Sequence, residues 1–134
     1  MLEHVAIWTR NLEGMKDFYC SYFDGKAGAK YQSKSEFHAN FESYFLTFGD
    51  GSRLELMEMP TIPESAYKPG QEALGLTHIA FAVGGKDEVD ALAKRAHEEG
   101  RKVLLEPHQT GDGYYEACIL DPDGNRVEIT NLPE

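Results

Sequence analysis

The chain has 134 residues, of which 41% are hydrophobic and 27% are charged, a balance typical of a globular protein that can bury a core. Its 23 acidic and 13 basic residues give a formal net charge of −10, which argues against nucleic acid and anionic membranes as partners. There is no apolar run near the roughly 20 residues of a membrane helix, and no signal-peptide pattern. We therefore expect a cytoplasmic protein with no membrane contact and with both cysteines reduced.

The first predicted elements are a short strand that begins at His4 and a helix over about 12–23. Asn11 stands directly before the helix, where its side chain can cap the first turn. The helix carries one apolar stripe that we interpret as core: Met15, Phe18, Tyr19 and Tyr22. Several antiparallel strands follow, and "GDGS" at 49–52 predicts a tight turn between two of them.

Residues 59–75, "MPTIPESAYKPGQEALG", contain three prolines and two glycines. Because proline has no N–H for a sheet ladder, this segment predicts a connector rather than a central strand. It separates two modules, at about 1–58 and 76–134, which we expect to form one domain over 1–134.

The second module opens with a predicted strand over 76–83, "LTHIAFAV", followed by a helix over about 87–99 that stops at Gly100. His97 stands in the charged last turn of this helix, and we expect it to be simply solvated. The "DPDGN" segment at 121–125 predicts a tight turn, because the spacing and closing Glu of a calcium-binding EF-hand are absent.

The two modules repeat one layout of strand, helix and antiparallel strands. Residues 4–19 match residues 78–93 at an offset of 74 (78 minus 4). Residues 48–57 match residues 121–130 at an offset of 73 (121 minus 48). Two pairs of segments with nearly the same shift indicate a duplicated module.

Four strands of the duplicated modules place a polar side chain opposite an aliphatic face, since strand side chains alternate. These side chains are His4, Glu55, His78 and Glu128. A carboxylate between aliphatic residues is costly to bury unless it is paired, hydrogen-bonded or metal-bound. Two imidazoles and two carboxylates make an N2O2 ligand set for a divalent first-row metal, with room for two waters. The alternatives are two plain ion pairs, His4–Glu55 and His78–Glu128, or strands that face solvent.

Several motifs resemble the vicinal oxygen chelate superfamily, which includes glyoxalase I, epimerases, fosfomycin-resistance enzymes, extradiol dioxygenases and bleomycin-resistance proteins. The motifs are "EHVAIWT" with "MKDFY", "RLELM", "LTHIAFAV" and "DPDGNRVEI", and the resemblance covers nearly the whole chain. It implies an α+β fold in which two tandem βαβββ modules form a cupped mixed β-sheet around a metal. The implied metal ligands are His4, Glu55, His78 and Glu128.

This His-Glu-His-Glu set is most similar to glyoxalase I, or lactoylglutathione lyase, whereas extradiol dioxygenases use two His and one carboxylate. The resemblance implies a compact bacterial type that prefers nickel or cobalt, with zinc as second choice, and that forms homodimers. It implies a small-molecule substrate, such as a 2-oxoaldehyde hemithioacetal, that reacts through an ene-diolate chelated to the metal. Glu128 is the expected proton carrier, and Glu55 its symmetric partner. Trp8 is expected to line the substrate pocket.

Two positions depart from the glutathione-using members, which carry Arg and Asn where this chain has Trp8 and Met59. An indole and a thioether cannot replace the polar contacts of those side chains. The thiol substrate therefore stays open. The alternatives are a metal-dependent epimerase or thiol transferase acting on another substrate, and a non-catalytic protein of the same fold that binds a small molecule.

Overall fold

The computed structural model describes residues 1–132, so the last two residues of the predicted second module and domain lie outside the described residues. The chain divides into two compact units, Met1–Ser65 and Ala66–Glu134. The division falls inside the predicted connector. No helix within residues 1–132 is long and apolar enough to cross a membrane.

The first unit contains one long helix, one short 3-10 helix and five strands. In chain order these are β1 (His4–Trp8), α1 (Leu12–Phe23), β2 (Lys26–Ala27), β3 (Tyr31–Gln32), the 3-10 helix (Glu36–His38), β4 (Glu42–Thr47) and β5 (Arg53–Glu58). The strands form one mixed sheet in the order β1-β5-β4-β2, and β3 also pairs with β4. β1 runs parallel to β5, and the other pairings are antiparallel.

The helix α1 has the predicted bounds and the predicted cap. The side chain of Asn11 accepts a hydrogen bond from the backbone N–H of Gly14 at 3.1 Å. Asp24, the residue directly after the helix, adopts the left-handed conformation at φ 55°. Its predicted apolar stripe is buried and packs on β4 and β5, so the interpretation of the stripe as core is confirmed.

The second unit repeats the order of strand, helix and three strands. Its elements are β6 (His78–Gly84), α2 (Lys86–Glu98), β7 (Val103–Gln109), β8 (Tyr115–Leu120) and β9 (Arg126–Asn131). The sheet order is β6-β9-β8-β7, with β6 parallel to β9 and the other pairs antiparallel. The predicted α+β class with two βαβββ modules is confirmed, although the first module carries an additional short strand.

His97 differs from its prediction. It was expected to be simply solvated, but its Nε2 lies 2.6 Å from Oε1 of Glu106 on β7. Glu106 stands nine residues after His97, beyond the end of α2 and beyond Gly100, whose φ is 73°. Local sequence does not reveal this pairing, because it depends on how β7 returns alongside α2.

The connector within the second unit is tied to β9 by one arginine. The guanidinium of Arg126 donates to the carboxylate of Glu72 through Nη1 and to the carbonyl of Gly70 through Nη2. Pro69 packs against Gly124 so closely that a Cβ at position 124 would meet it at 2.6 Å. Gly124 also has φ 87°, so this turn requires glycine for both reasons.

Candidate metal centre

The first unit brings together His4 of β1 and Glu55 of β5. The parallel register pairs Ala6 with Glu55, which places Glu55 diagonally opposite His4 on one face of the sheet. The distance between Nε2 of His4 and Oε1 of Glu55 is 3.6 Å. The side chains are 36% and 16% exposed, so the pair is accessible to a ligand.

Alternation along β5 explains why Glu55 takes this position. Leu54 and Leu56 are buried at 3% and 0% exposure, on the opposite face from Glu55. Phe45 of β4 is the register partner of Glu55 on its other side. The His4 ring contacts Phe45 edge to face, with the centroids 5.2 Å apart at 83°. Packing of aliphatic residues therefore directs Glu55, and an aromatic contact supports His4.

His4 has a second polar neighbour that the sequence analysis missed. Its Nδ1 lies 2.8 Å from Oε1 of Glu3, and Glu3 also accepts hydrogen bonds from Nε and Nη2 of Arg53 at 2.9 and 2.6 Å. The hydrogen bond from Arg53 has the largest effect and that from His4 the next largest, and together they lower the pKa of Glu3 to about 2. The available signal was an acidic residue directly before the histidine that opens the strand.

The second unit repeats the pair with His78 of β6 and Glu128 of β9. The register pairs Ala80 with Glu128, so the geometry matches that of the first unit. The distance between Nε2 of His78 and Oε1 of Glu128 is 3.3 Å, and the side chains are 38% and 23% exposed. The duplicated sequence is thus matched by a duplicated His–Glu pair.

Two further side chains of the second unit stand beside Glu128. Cys118 is its register partner, and the pKa of this thiol is raised by burial and then by the charge of Glu128. Glu116 lies two residues before Cys118 on β8. Its pKa is raised by burial, by the charge of Glu128 and by a hydrogen bond to the Glu128 carboxyl. The sequence analysis missed Glu116, although its alternation with Ala117 placed it on this face.

Trp8 lies on the same side of β1 as His4 and is 42% exposed. Its ring contacts Phe41 edge to face, with the centroids 6.0 Å apart. Tyr31 and His38 contact the same Phe41 ring at 6.3 and 6.2 Å. Trp8 is therefore part of an aromatic cluster on the face that carries His4 and Glu55.

The donor chemistry of the two pairs fits a divalent first-row metal. Each unit supplies one imidazole nitrogen and one carboxylate oxygen, and the two atoms lie 3.6 Å apart in the first unit and 3.3 Å apart in the second. Neighbouring ligand atoms on one such ion are about 3 Å apart, so both separations are close to that value. Both separations exceed the usual N–H···O range of about 2.7–3.2 Å. Within residues 1–132, no three His, Cys, Asp or Glu side chains are grouped to hold a metal ion. The four-ligand site stays a prediction.

The sequence model of the Glyoxalase/Bleomycin resistance protein/Dioxygenase superfamily matches residues 1–129. The chain belongs to this superfamily. Among curated proteins, biphenyl-2,3-diol 1,2-dioxygenase 2 of Rhodococcus globerulus is 30% identical over 132 residues. That alignment covers 94% of the present chain and 60% of the dioxygenase. The chain thus spans less than two thirds of the length of this relative.

Solved structures of the superfamily share the fold. A glyoxalase family protein from Enterococcus faecalis is 26% identical with a TM-score of 0.74, over 98% of this chain and 97% of that one. A glyoxalase I mutant from Zea mays is 25% identical with a TM-score of 0.72, over all of this chain and 45% of that one. The resemblance to the glyoxalase fold found in the sequence is therefore confirmed, and the superfamily includes enzymes of both glyoxalase and dioxygenase type.

Proposed function

We propose that the chain is a metal-dependent lyase/isomerase of the glyoxalase I, or lactoylglutathione lyase, type. The observation that carries the proposal is the repeated pair of an imidazole Nε2 facing a carboxylate Oε1, at 3.6 Å in one unit and 3.3 Å in the other. The chain acts on a small molecule with two neighbouring oxygens. It functions as a cytoplasmic homodimer.

Four residues hold the metal in this proposal: His4, Glu55, His78 and Glu128. Two nitrogen and two oxygen donors suit a divalent first-row metal. The resemblance to compact bacterial glyoxalase I favours nickel or cobalt, with zinc second. When bound, such an ion would act as a Lewis acid on the two substrate oxygens and would make the C–H next to the substrate carbonyl more acidic. The two histidines serve only as ligands, and whether the donors come from one chain or from two is part of what must be tested.

Glu128 carries the proton between the adjacent substrate carbons. Its environment supports this assignment over Glu55. Burial, the charge of Glu128 and a hydrogen bond between the two carboxyls raise the pKa of Glu116, so a second acid group stands beside Glu128. In the first unit the corresponding position is Ser43, which is 1% exposed and carries no acid.

The substrate end of the site is apolar where glutathione-using enzymes are polar. Trp8 packs on Phe41, and Met59 stands where an amide would be expected. The aromatic cluster favours a substrate with a flat or apolar group, because such a group stacks on aromatic rings. We therefore propose the glyoxalase reaction type and leave the thiol open.

The proposal is tested by loading metal-free protein with nickel, cobalt, zinc or manganese. Each form is assayed for isomerisation of the methylglyoxal–glutathione hemithioacetal. We expect turnover that requires metal, is lost in Glu128→Gln and is retained in Glu98→Gln, an exposed position on α2. Failure of the wild-type protein to bind any of these ions would contradict the proposal. Tight binding without turnover would redirect the search to other thiols or to epimerase substrates.

A second candidate is an enzyme that acts on an aromatic diol. The 30% identity to biphenyl-2,3-diol 1,2-dioxygenase 2 and the aromatic cluster around Phe41 both favour it. The second carboxylate of the proposed ligand set argues against it. Incubation of the iron(II)-loaded protein with biphenyl-2,3-diol in air distinguishes the two candidates, because only the dioxygenase consumes oxygen with the diol.

A third possibility is a non-catalytic protein that binds a small molecule. In that case the metal is dispensable, and Glu128→Gln leaves ligand affinity intact. Loss of ligand binding together with loss of metal supports chelation instead. This comparison needs only a binding assay, with the metal-free wild type as reference.

A further inference from the structure

The His4 ring has a carboxylate near each of its nitrogens. Nδ1 lies 2.8 Å from Oε1 of Glu3, and Nε2 lies 3.6 Å from Oε1 of Glu55. An ionised carboxylate can only accept a hydrogen bond, so the shorter contact requires the proton of the neutral ring to be on Nδ1. The lone pair of Nε2 is then directed towards Glu55.

Arg53 fixes the position of Glu3. Its Nε donates to Oε2 at 2.9 Å and its Nη2 donates to Oε1 at 2.6 Å, which is a two-pronged contact. The guanidinium also stacks over the Phe45 ring at 4.1 Å from its centroid, and that same ring contacts His4. Glu3 is therefore held from one side by Arg53 while it contacts His4 on the other.

The second unit lacks this arrangement. Thr77 precedes His78 and has no carboxylate. Arg126 is the register partner of His78, as Arg53 is of His4, but it donates to Glu72 and to the Gly70 carbonyl. The duplicated arginine thus supports a histidine in one unit and the connector in the other.

We propose that Glu3 is a positioning residue that holds His4 in the Nδ1–H tautomer and presents its Nε2 for metal binding. The metal-binding part of this inference rests on the proposed function. A carboxylate that accepts a hydrogen bond from the ring nitrogen not bound to the metal orients a ligating histidine and raises the basicity of its ring. Loss of such a partner weakens metal affinity by about 10–100-fold.

The first arm of the test needs no metal. Long-range 1H–15N spectra of the metal-free protein at mildly alkaline pH report which nitrogen of each ring carries the proton. We expect His4 to be protonated on Nδ1 in the wild type and in Glu3→Gln, which keeps an acceptor. In Glu3→Ala it shifts towards a mixture of both tautomers. His78 is the internal reference and stays unchanged in all three proteins.

The second arm measures nickel affinity by competition with a chelator. Glu3→Ala should weaken binding by about 10–100-fold, Glu3→Gln should lie between it and the wild type, and Thr77→Ala should bind as the wild type does. The inference is overturned if wild-type His4 carries its proton on Nε2, or if Glu3→Ala leaves the tautomer or the affinity unchanged. If the wild type binds no nickel, the proposed function fails, and the tautomer arm alone decides whether Glu3 positions His4.

Discussion

At the scale of single residues, the two histidines of the proposed site have the same carboxylate neighbour but different surroundings. In the first unit, Glu3 and Phe45 contact His4. In the second unit, Glu116 and Cys118 lie beside Glu128, the carboxylate partner of His78. The His–Glu pair is thus the same in both units, while the residues around it differ. The first unit orients its histidine through a charged contact, and the second places an additional acid beside its carboxylate.

The Glu3–Arg53 contact predicts a pH dependence of stability. The pKa of Glu3 is lowered from 4.5 to about 2, so the native state favours the ionised form. Its stabilising contribution is therefore complete above pH 4.5 and is lost as the pH falls towards 2. We expect the difference in unfolding free energy between wild type and Glu3→Gln to shrink over this window in urea titrations. A difference that is constant from pH 6 to pH 2.5 would contradict this account.

Core packing and the proposed site occupy opposite faces of β5, which gives a second prediction. Leu56 is fully buried, and Leu56→Ala should lower the free energy of unfolding by about 2–5 kcal/mol. Glu55→Gln should cost about 1 kcal/mol or less, because its partner lies 3.6 Å away on a partly exposed face. Denaturant unfolding of both variants is the measurement. A loss in Glu55→Gln as large as that in Leu56→Ala would support a structural ion pair instead of a ligand site.

At the scale of elements, the cap of α1 predicts a local effect. Asn11 accepts a hydrogen bond from the Gly14 N–H, so Asn11→Ala should destabilise the protein by about 1 kcal/mol. Asn11→Asp keeps the acceptor and serves as the matched control. Thermal unfolding should show a lower midpoint for the alanine variant alone. Equal midpoints for the wild type and Asn11→Ala would mean that the cap contributes nothing.

Long elements with strong periodicity could be predicted from the sequence, and short ones could not. The helix over 12–23 was found with its cap because the apolar stripe and Asn11 are local signals. The two-residue strands β2 and β3 were missed, since two exposed residues have no alternation to read. The 3-10 helix, Glu36–His38, has no buried residue and was missed for the same reason.

The candidate site could likewise be predicted only in part from the sequence. The His–Glu pairs were visible because duplication and strand alternation are both properties of the sequence. Glu3 and Glu116 were not recognised, because their roles depend on which side chains the strand register brings beside them. The link from His97 to Glu106 is a third example, since it joins a helix end to a strand that only the fold brings together.

At the scale of the whole molecule, the central claim is that both units contribute ligands to one divalent metal. Each unit, described by itself, carries one imidazole and one carboxylate. Two donors alone hold a transition metal weakly, whereas four donors plus two waters complete an octahedral shell. Removal of a donor from either unit should therefore have a similar effect on affinity.

The most direct measurement is isothermal titration calorimetry, in which nickel is titrated into metal-free protein. It is made for the wild type, Glu55→Gln and Glu128→Gln, with Glu98→Gln as control. The account predicts one nickel ion per chain in the wild type and in the control, and strongly weakened binding in both site variants, one from each unit. Unchanged binding in either site variant, or no binding in the wild type, would contradict a metal centre built from both His–Glu pairs.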